Sequence, residues 1–251
     1  MKITFLGTGT SQGIPMIGCD CSVCGSNDPR DQRLRSSILI EWDDCRVVVD
    51  TGPDFRYQML RAGVKRLDAV LYTHEHTDHV AGLDDVRAFN YFQKGSMPLY
   101  ASDHTEEDLR TRFGYAFGDY PGVPSIHFER LADEPFEIKG HRIVPISVMH
   151  RDLQTYGFRF DDFTYITDAN HIAPQAQKKI KGSKAMVLNA LRYEPHYSHF
   201  TLDEALQQVE SIGVERAYFT HISHQLGRHA DVERGLPEFA HLAHDGLELQ
   251  F

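Results

Sequence analysis

His74-x-His76-x-Asp78-His79 places four potential metal donors within six residues, directly behind the apolar run Ala69–Tyr72. On an extended segment, residues two apart point to one side, so His74 and His76 can converge on a single ion. A turn after His76 can then aim Asp78 and His79 at a neighbouring position. Imidazole and carboxylate together suit Zn²⁺, Mn²⁺ or Fe²⁺, whereas Ca²⁺ would require oxygen donors alone. A second group, Cys19-x-Cys21-x₂-Cys24, offers three thiolates, one short of a closed tetrahedral zinc site. His224 can supply the fourth donor and so tie the N-terminal loop to the segment Thr220–His224.

The elements that must position these groups alternate between strand and helix. β-branched and aliphatic runs predict strands at Lys2–Leu6, Ala69–Tyr72, Leu99–Ala101, Arg142–Val148, Tyr156–Phe160, Phe163–Thr167, Met186–Leu188, Arg216–Thr220 and Leu247–Phe251. Ser37–Trp42 and Arg46–Val49 flank Asp43-Asp44 as a hairpin. Apolar spacing predicts helices over Leu83–Phe92, Glu106–Arg112, Pro174–Lys181, Leu202–Ile212 and Val232–His241. Hairpins mixed with β–α crossovers point to a layered α/β architecture with mixed sheets, here one domain over residues 1–251. The Gly7–Gly13 turn has GxGxxxG spacing and no βαβ unit behind it, so it reads as a tight turn beside the metal site, not a dinucleotide loop.

Composition narrows the partners. With 26 basic and 36 acidic residues the formal net charge is −10, poorly suited to gripping a long nucleic acid. A small anion remains a suitable partner, because bound divalent cations reverse the sign inside a cleft. Hydrophobic residues at 41% and charged residues at 25% are ordinary for a globular chain. No apolar run approaches a membrane span, and Met1–Gly7 is too short for an export signal, so the expected compartment is the cytoplasm. Four cysteines then read as metal ligands and one packing residue, Cys45, rather than as a disulfide framework.

HxHxDH behind a strand resembles the signature of the metallo-β-lactamase superfamily. The resemblance implies a four-layer αββα sandwich over essentially the whole chain, built of two mixed sheets flanked by helices and carrying a binuclear metal site. It implies His74, His76 and His150 on one ion, Asp78, His79 and His221 on the other, and Asp168 between them. Asp50, in Val49-Asp50-Thr51-Gly52, matches the family's earlier aspartate and reads as the acceptor that orients a metal-bound imidazole. The cysteine motif combined with Thr220-His221-Ile222-Ser223-His224 is similar to the phosphodiesterase branch, which includes phosphoribosyl cyclic phosphate phosphodiesterases.

That branch implies two divalent ions, Zn or Mn, at the catalytic site and one structural Zn held by Cys19, Cys21, Cys24 and His224. The expected substrate is a small phosphodiester, cyclic or open, attacked by a hydroxide shared between the ions. His199 is the candidate general acid and, with Asp78, completes the catalytic set. Arg151, Arg192, Tyr193 and His196 are candidates for holding the substrate's phosphate or sugar. A homodimer is what relatives suggest. The competing class is a non-hydrolytic or redox-coupled metal protein resembling the pyrroloquinoline quinone biosynthesis branch. A β-lactamase is disfavoured because the best-known kind carries Cys where this chain has His79. A glyoxalase-type enzyme would append a helical domain for which the 30 residues after His221 leave no room. A transfer-RNA 3′-processing nuclease would carry a basic arm that the sequence lacks.

Overall fold

Lys2–Gly7 (β1), Ser37–Glu41 (β2) and Arg46–Val49 (β3) are buried almost throughout and pair antiparallel in chain order. In the computed structural model, which describes residues 1–118 and 121–251, they begin a seven-stranded sheet. The sheet continues in parallel through Ala69–Leu71 (β4), Met97–Ala101 (β5) and Ile126–Arg130 (β6). Its crossovers contain the helices Phe55–Arg61 (α1), Thr77–Val80 (α2), Arg87–Gln93 (α3) and Asp103–Arg112 (α4).

The second sheet repeats the plan. Phe136–Ile138 (β7), His141–His150 (β8), Leu153–Phe160 (β9) and Phe163–Tyr165 (β10) form an antiparallel half. Ala185–Asn189 (β11), Arg216–Thr220 (β12) and Ala240–Leu242 (β13) add the parallel half, through Pro174–Ile180 (α5), Leu202–Ile212 (α6) and His229–Glu233 (α7). Glu248–Gln250 (β14) closes the outer edge of the first sheet beside β1.

Two-residue periodicity divides these strands between layers. Ile38, Ile40, Val47 and Val49 face Phe158, Phe160, Phe163 and Tyr165 across the middle of the molecule. The alternate residues Leu39 and Val48 pack under Phe55, Met59, Val80, Leu83 and Phe89. On the far side, Met186, Leu188 and Phe219 lie under Ala176, Ile180, Leu202, Ala205 and Val209. These are the four layers expected, helix–sheet–sheet–helix. Fully buried rings such as Phe158 and Phe163 are worth about 3–5 kcal/mol each against alanine.

The helix expected over Val232–His241 is a correction. Only His229–Glu233 is helical, and Ala240–Leu242 is a strand paired with β12. Gly235 and Pro237 interrupt the helical pattern, and the sheet edge captures the residues beyond them. The helix expected at Leu83–Phe92 opens as a 3₁₀ turn, Leu83–Val86, before α3.

The direction of the strands decides where chemistry can gather. β3 and β4 run parallel, so Asp50 and the segment after Leu71 emerge at one rim. β8, β10 and β12 likewise share a direction, and His150, Asp168 and His221 stand at or just beyond their C-terminal ends. The Tyr156 amide of β9 donates to the Thr73 carbonyl at 3.0 Å, which stitches the two rims together.

Candidate metal centre

His74, His79, His150, Asp168 and His221 are buried at this joint rim, and His76 is exposed at its mouth. The single-turn helix α2 accounts for the HxHxDH spacing. Its first turn, closed by the His79 amide on the His76 carbonyl at 2.9 Å, swings Asp78 and His79 away from the side that His74 and His76 occupy. Two groups of donors result. His74, His76, His150 and Asp168 bring one donor atom each within 4.8 Å of one another, and so do Asp78, His79, Asp168 and His221.

Asp168 belongs to both groups through different oxygens. Its Oδ2 lies 3.8 Å from His74 Nε2 and 3.9 Å from His150 Nε2. Its Oδ1 lies 3.1 Å from His221 Nδ1 and 3.4 Å from His79 Nε2, and His79 Nε2 is also 3.2 Å from Asp78 Oδ2. His74 Nε2, His79 Nε2 and His221 Nδ1 are buried without a hydrogen-bond partner among the described residues. Buried polar atoms left unpaired cost about 1–3 kcal/mol each. Nitrogen lone pairs facing a shared carboxylate are what a divalent cation satisfies, so the donor set fits a metal.

The electrostatics agree. Burial pushes the pKa values of His74 and His221 down, keeping both imidazoles neutral. Burial alone would raise Asp168, but His221 and His79 outweigh it and hold the carboxylate well below the usual range. His79 is the exception. Burial lowers it, but Asp78, Asp168 and Asp50 prevail and raise it well above 6.5. That field of three carboxylates attracts a positive charge at Nε2, and a cation answers it as well as a proton does.

The surroundings fix which nitrogen faces inward. Asp50 accepts the Thr73 amide at 2.8 Å, the Thr73 hydroxyl at 2.9 Å and His79 Nδ1–H at 2.7 Å. Since the Thr73 proton is committed to Asp50, Thr73 Oγ1 receives His74 Nδ1–H at 2.9 Å. His150 Nδ1–H donates to the Ser198 carbonyl at 2.7 Å. Each of these three rings thereby turns Nε2 toward the site, where on His79 a cation would take the place of the proton. Asp50 sits at φ 65°, Arg151 at 59° and His221 at 54°, left-handed conformations that L-residues rarely adopt. Gly52 is required by a close approach: a Cβ there would lie 2.2 Å from the Asp78 carbonyl oxygen.

His199 is delivered by the helix that follows it. A capping box, Thr201 Oγ1 accepting the Glu204 amide at 3.2 Å and Glu204 accepting the Thr201 amide at 2.8 Å, fixes the start of α6 two residues on. His199 Nε2 stands 4.0 Å from Asp168 Oδ2, and its ring packs between His150 and His221 at 4.5 and 4.8 Å. Burial keeps it neutral, against the pull of Asp168.

The remaining sequence candidates separate. Arg151 borders a cleft of about 310 Å³ with His76, His150, Leu153, Tyr197 and Ser198. His196 packs against His199 at 5.2 Å. Arg192 is not brought to the cluster: its guanidinium is turned to the Glu194 and Pro195 carbonyls and to Gln225 Oε1 at 2.7 Å. Tyr193 lines a different cleft, beside Ser22, Leu226 and Arg228. Thr73 and Tyr197 were not singled out from sequence, although Thr73 precedes the histidine motif and Tyr197 lies two residues before His199.

The thiols of Cys19, Cys21 and Cys24 meet His224 with their donor atoms within 4.8 Å of one another. Cys19 and Cys21 Sγ are each 3.3 Å from His224 Nδ1. The Met16 and Cys24 amides donate to Cys24 and Cys21 sulfur at 3.3 and 3.4 Å, an environment that favours thiolate; the Cys24 amide and then His224 bring the Cys21 pKa down to about 6. Cys24, by contrast, is raised to about 11 by burial. Cys45 is buried in the core between the sheets.

A model of the beta-lactamase superfamily domain matches residues 45–222. A solved diphosphatase of the PhnP family superposes with a TM-score of 0.94 at 43% identity, covering 100% of this chain and 97% of that one. Zn²⁺-bound PqqB from Methylobacterium extorquens has a TM-score of 0.80 at 22% identity, with both chains covered in full, a likeness of fold. An octanoyltransferase of Porphyromonas gingivalis is 38% identical over 99% of this chain but 51% of its own length. The chain spans about half the length of the first curated relatives it matches. With two mixed sheets, a His/Asp cluster at their joint rim and full-length similarity to the PhnP-family diphosphatase, the chain belongs to the metallo-β-lactamase superfamily.

Proposed function

We propose that the protein is a binuclear metal-dependent phosphodiesterase acting on a small phosphodiester or diphosphate. His74, His76 and His150 would hold one ion and Asp78, His79 and His221 the other, with Asp168 shared. The observation that carries this reading is the division of Asp168, one oxygen toward each group of imidazole nitrogens. Bound there, a pair of divalent cations, Zn²⁺ or Mn²⁺, supplies Lewis-acid charge to a phosphoryl oxygen and lowers the pKa of water.

The chain's own residues do the rest. Asp50, Thr73 and the Ser198 carbonyl lock the imidazoles so that no reorientation is needed when substrate binds. His199 supplies the proton that the leaving alkoxide requires. Burial leaves it neutral in the metal-free protein, so this role requires the negative charge of the bound substrate to raise its pKa. The four-ligand cluster of Cys19, Cys21, Cys24 and His224 would hold a structural Zn²⁺ and brace the wall that carries His221.

Acyl transfer, suggested by the octanoyltransferase, fits less well. That relative is about twice as long, and among the described residues the cysteines are spent on the His224 cluster or, at Cys45, on the core. The test is turnover of bis(p-nitrophenyl) phosphate by protein loaded with Zn²⁺ or Mn²⁺. Hydrolysis that scales with metal content is expected. Two bound ions and no hydrolysis with either metal would instead support a non-hydrolytic metal protein.

A further inference from the structure

Asp168 can face both groups of donors only if its carboxylate is held in one rotation, and the strands flanking β10 supply that hold. The ladder between β10 and β11 ends at the Ile166 amide, which donates to the Val187 carbonyl at 2.9 Å. Beyond it the peptide between Asp168 and Ala169 is met by side chains instead. Asn189, the last residue of β11, accepts the Ala169 amide on Oδ1 at 2.9 Å. From the opposite side Thr155 of β9 donates its hydroxyl to the Asp168 carbonyl, also at 2.9 Å. The Thr167 hydroxyl donates to Asp168 Oδ1 at 2.9 Å, leaving Oδ2 to the side of His74 and His150.

Packing alone does not account for Asn189. It is fully buried, on the face of β11 that carries Ala185 and Val187 into the core between the sheets. Its Nδ2 has no hydrogen-bond partner among the described residues. That end of the amide weakens folding, which an aliphatic side chain would not do. The other end serves the peptide beside Asp168. The hold reaches the candidate acid as well, since the Ala169 carbonyl accepts the amide of Phe200, next to His199, at 3.0 Å.

We infer that Asn189 and Thr155 are positioning residues: they fix the peptide after Asp168 at both ends and so aim the carboxylate that joins the two ions. The inference rests on the binuclear reading and deepens it. A peptide held at one end swings about that end. Held at both, it leaves the Asp168 side chain only its own torsions, and Thr167 restricts those.

The test is Mn²⁺ titration of the full-length protein stripped of its catalytic ions, read by calorimetry and by electron paramagnetic resonance. Two Mn²⁺ ions joined by one carboxylate give an exchange-coupled spectrum, whereas ions that share no ligand give the signal of isolated Mn²⁺. Asn189→Leu removes the oxygen at similar volume, and Thr155→Val removes only the hydroxyl. Each should weaken Mn²⁺ binding about 10- to 100-fold and diminish the coupling. Thr155→Ser, which retains the hydroxyl, should restore both, and the Thr155 pair decides the matter should Asn189→Leu fold poorly. Native affinity and coupling in Thr155→Val and in folded Asn189→Leu would overturn the proposal, as would a loss that Thr155→Ser shares. An uncoupled spectrum in the native protein would instead overturn the binuclear reading, and this proposal with it.

Discussion

Asp168 is the residue on which both groups of donors depend, and its two oxygens do different work. Asp168→Ala should lower bound metal from two ions toward one or none, and cut turnover by more than about a hundredfold. Metal analysis and diesterase assays check this together; full metal content at a normal rate would exclude a bridging role. His199 makes the opposite claim, since it stands against the cluster without belonging to either group. His199→Ala should keep its metals but slow alkyl leaving groups by about 10²- to 10⁴-fold, with a smaller effect on p-nitrophenolate, which needs no proton. Equal slowing of both substrates would rule out proton donation. The HxHxDH group was legible from its spacing, whereas Asp168 and His199 were placed by the family resemblance, the sequence around His199 giving no signal of its own. Which nitrogen each ring presents was not legible, since it depends on Thr73 and on the Ser198 carbonyl, partners that no spacing reveals.

Among the described α-helices, α2 is the shortest, with four residues. Its residues Asp78 and His79 are held by the Thr51 amide on the His79 carbonyl and by the packing of Gly52 against the Asp78 carbonyl. Gly52→Ala should therefore cost about 1–3 kcal/mol of stability and weaken the ion held by Asp78, His79 and His221. Urea unfolding and metal titration would measure the two effects, and no change in either would show that the contact yields freely. The cysteine cluster joins the N-terminal loop to the 3₁₀ turn His224–Leu226. Cys21→Ser should release one zinc, leave the catalytic pair bound and lower Tm by on the order of 5 °C; an unchanged zinc count would contradict a metal there. Long core strands such as β8 and β12 were readable from their apolar content. The edge strand β6 was not, because Ile126 and Phe128 alternate with His127 and Glu129 for only four residues, and β13 has only three residues, too few to show a period. α1 carries Phe55, Gln58 and Met59 on one buried face, but its 7 residues are too few to display a helical period.

At the scale of the whole molecule, burying so many imidazoles ties stability to pH. In the metal-free protein His74, His199 and His221 have pKa values pushed below 6.5 by burial. As pH falls through 6.5 the unfolded chain takes up protons that the folded site refuses, so stability is lost with acidification. His79 runs the other way. Burial lowers it but its carboxylate neighbours raise it further, so its contribution is complete below 6.5 and offsets nothing beyond that point. The melting temperature of the chelated protein should fall steadily from pH 7 to pH 5, and a flat profile would mean that the rings are solvated. Nor does any described helix have the length and apolarity to cross a membrane. One last consequence lies in the backbone at Asp50, Arg151 and His221, all twisted into the region where glycine rests most comfortably. Selection for heat resistance alone would reward glycine at exposed Arg151, but not at Asp50 or His221, where removing a buried side chain would leave its hydrogen-bonding neighbours unpaired at more cost than the torsion returns.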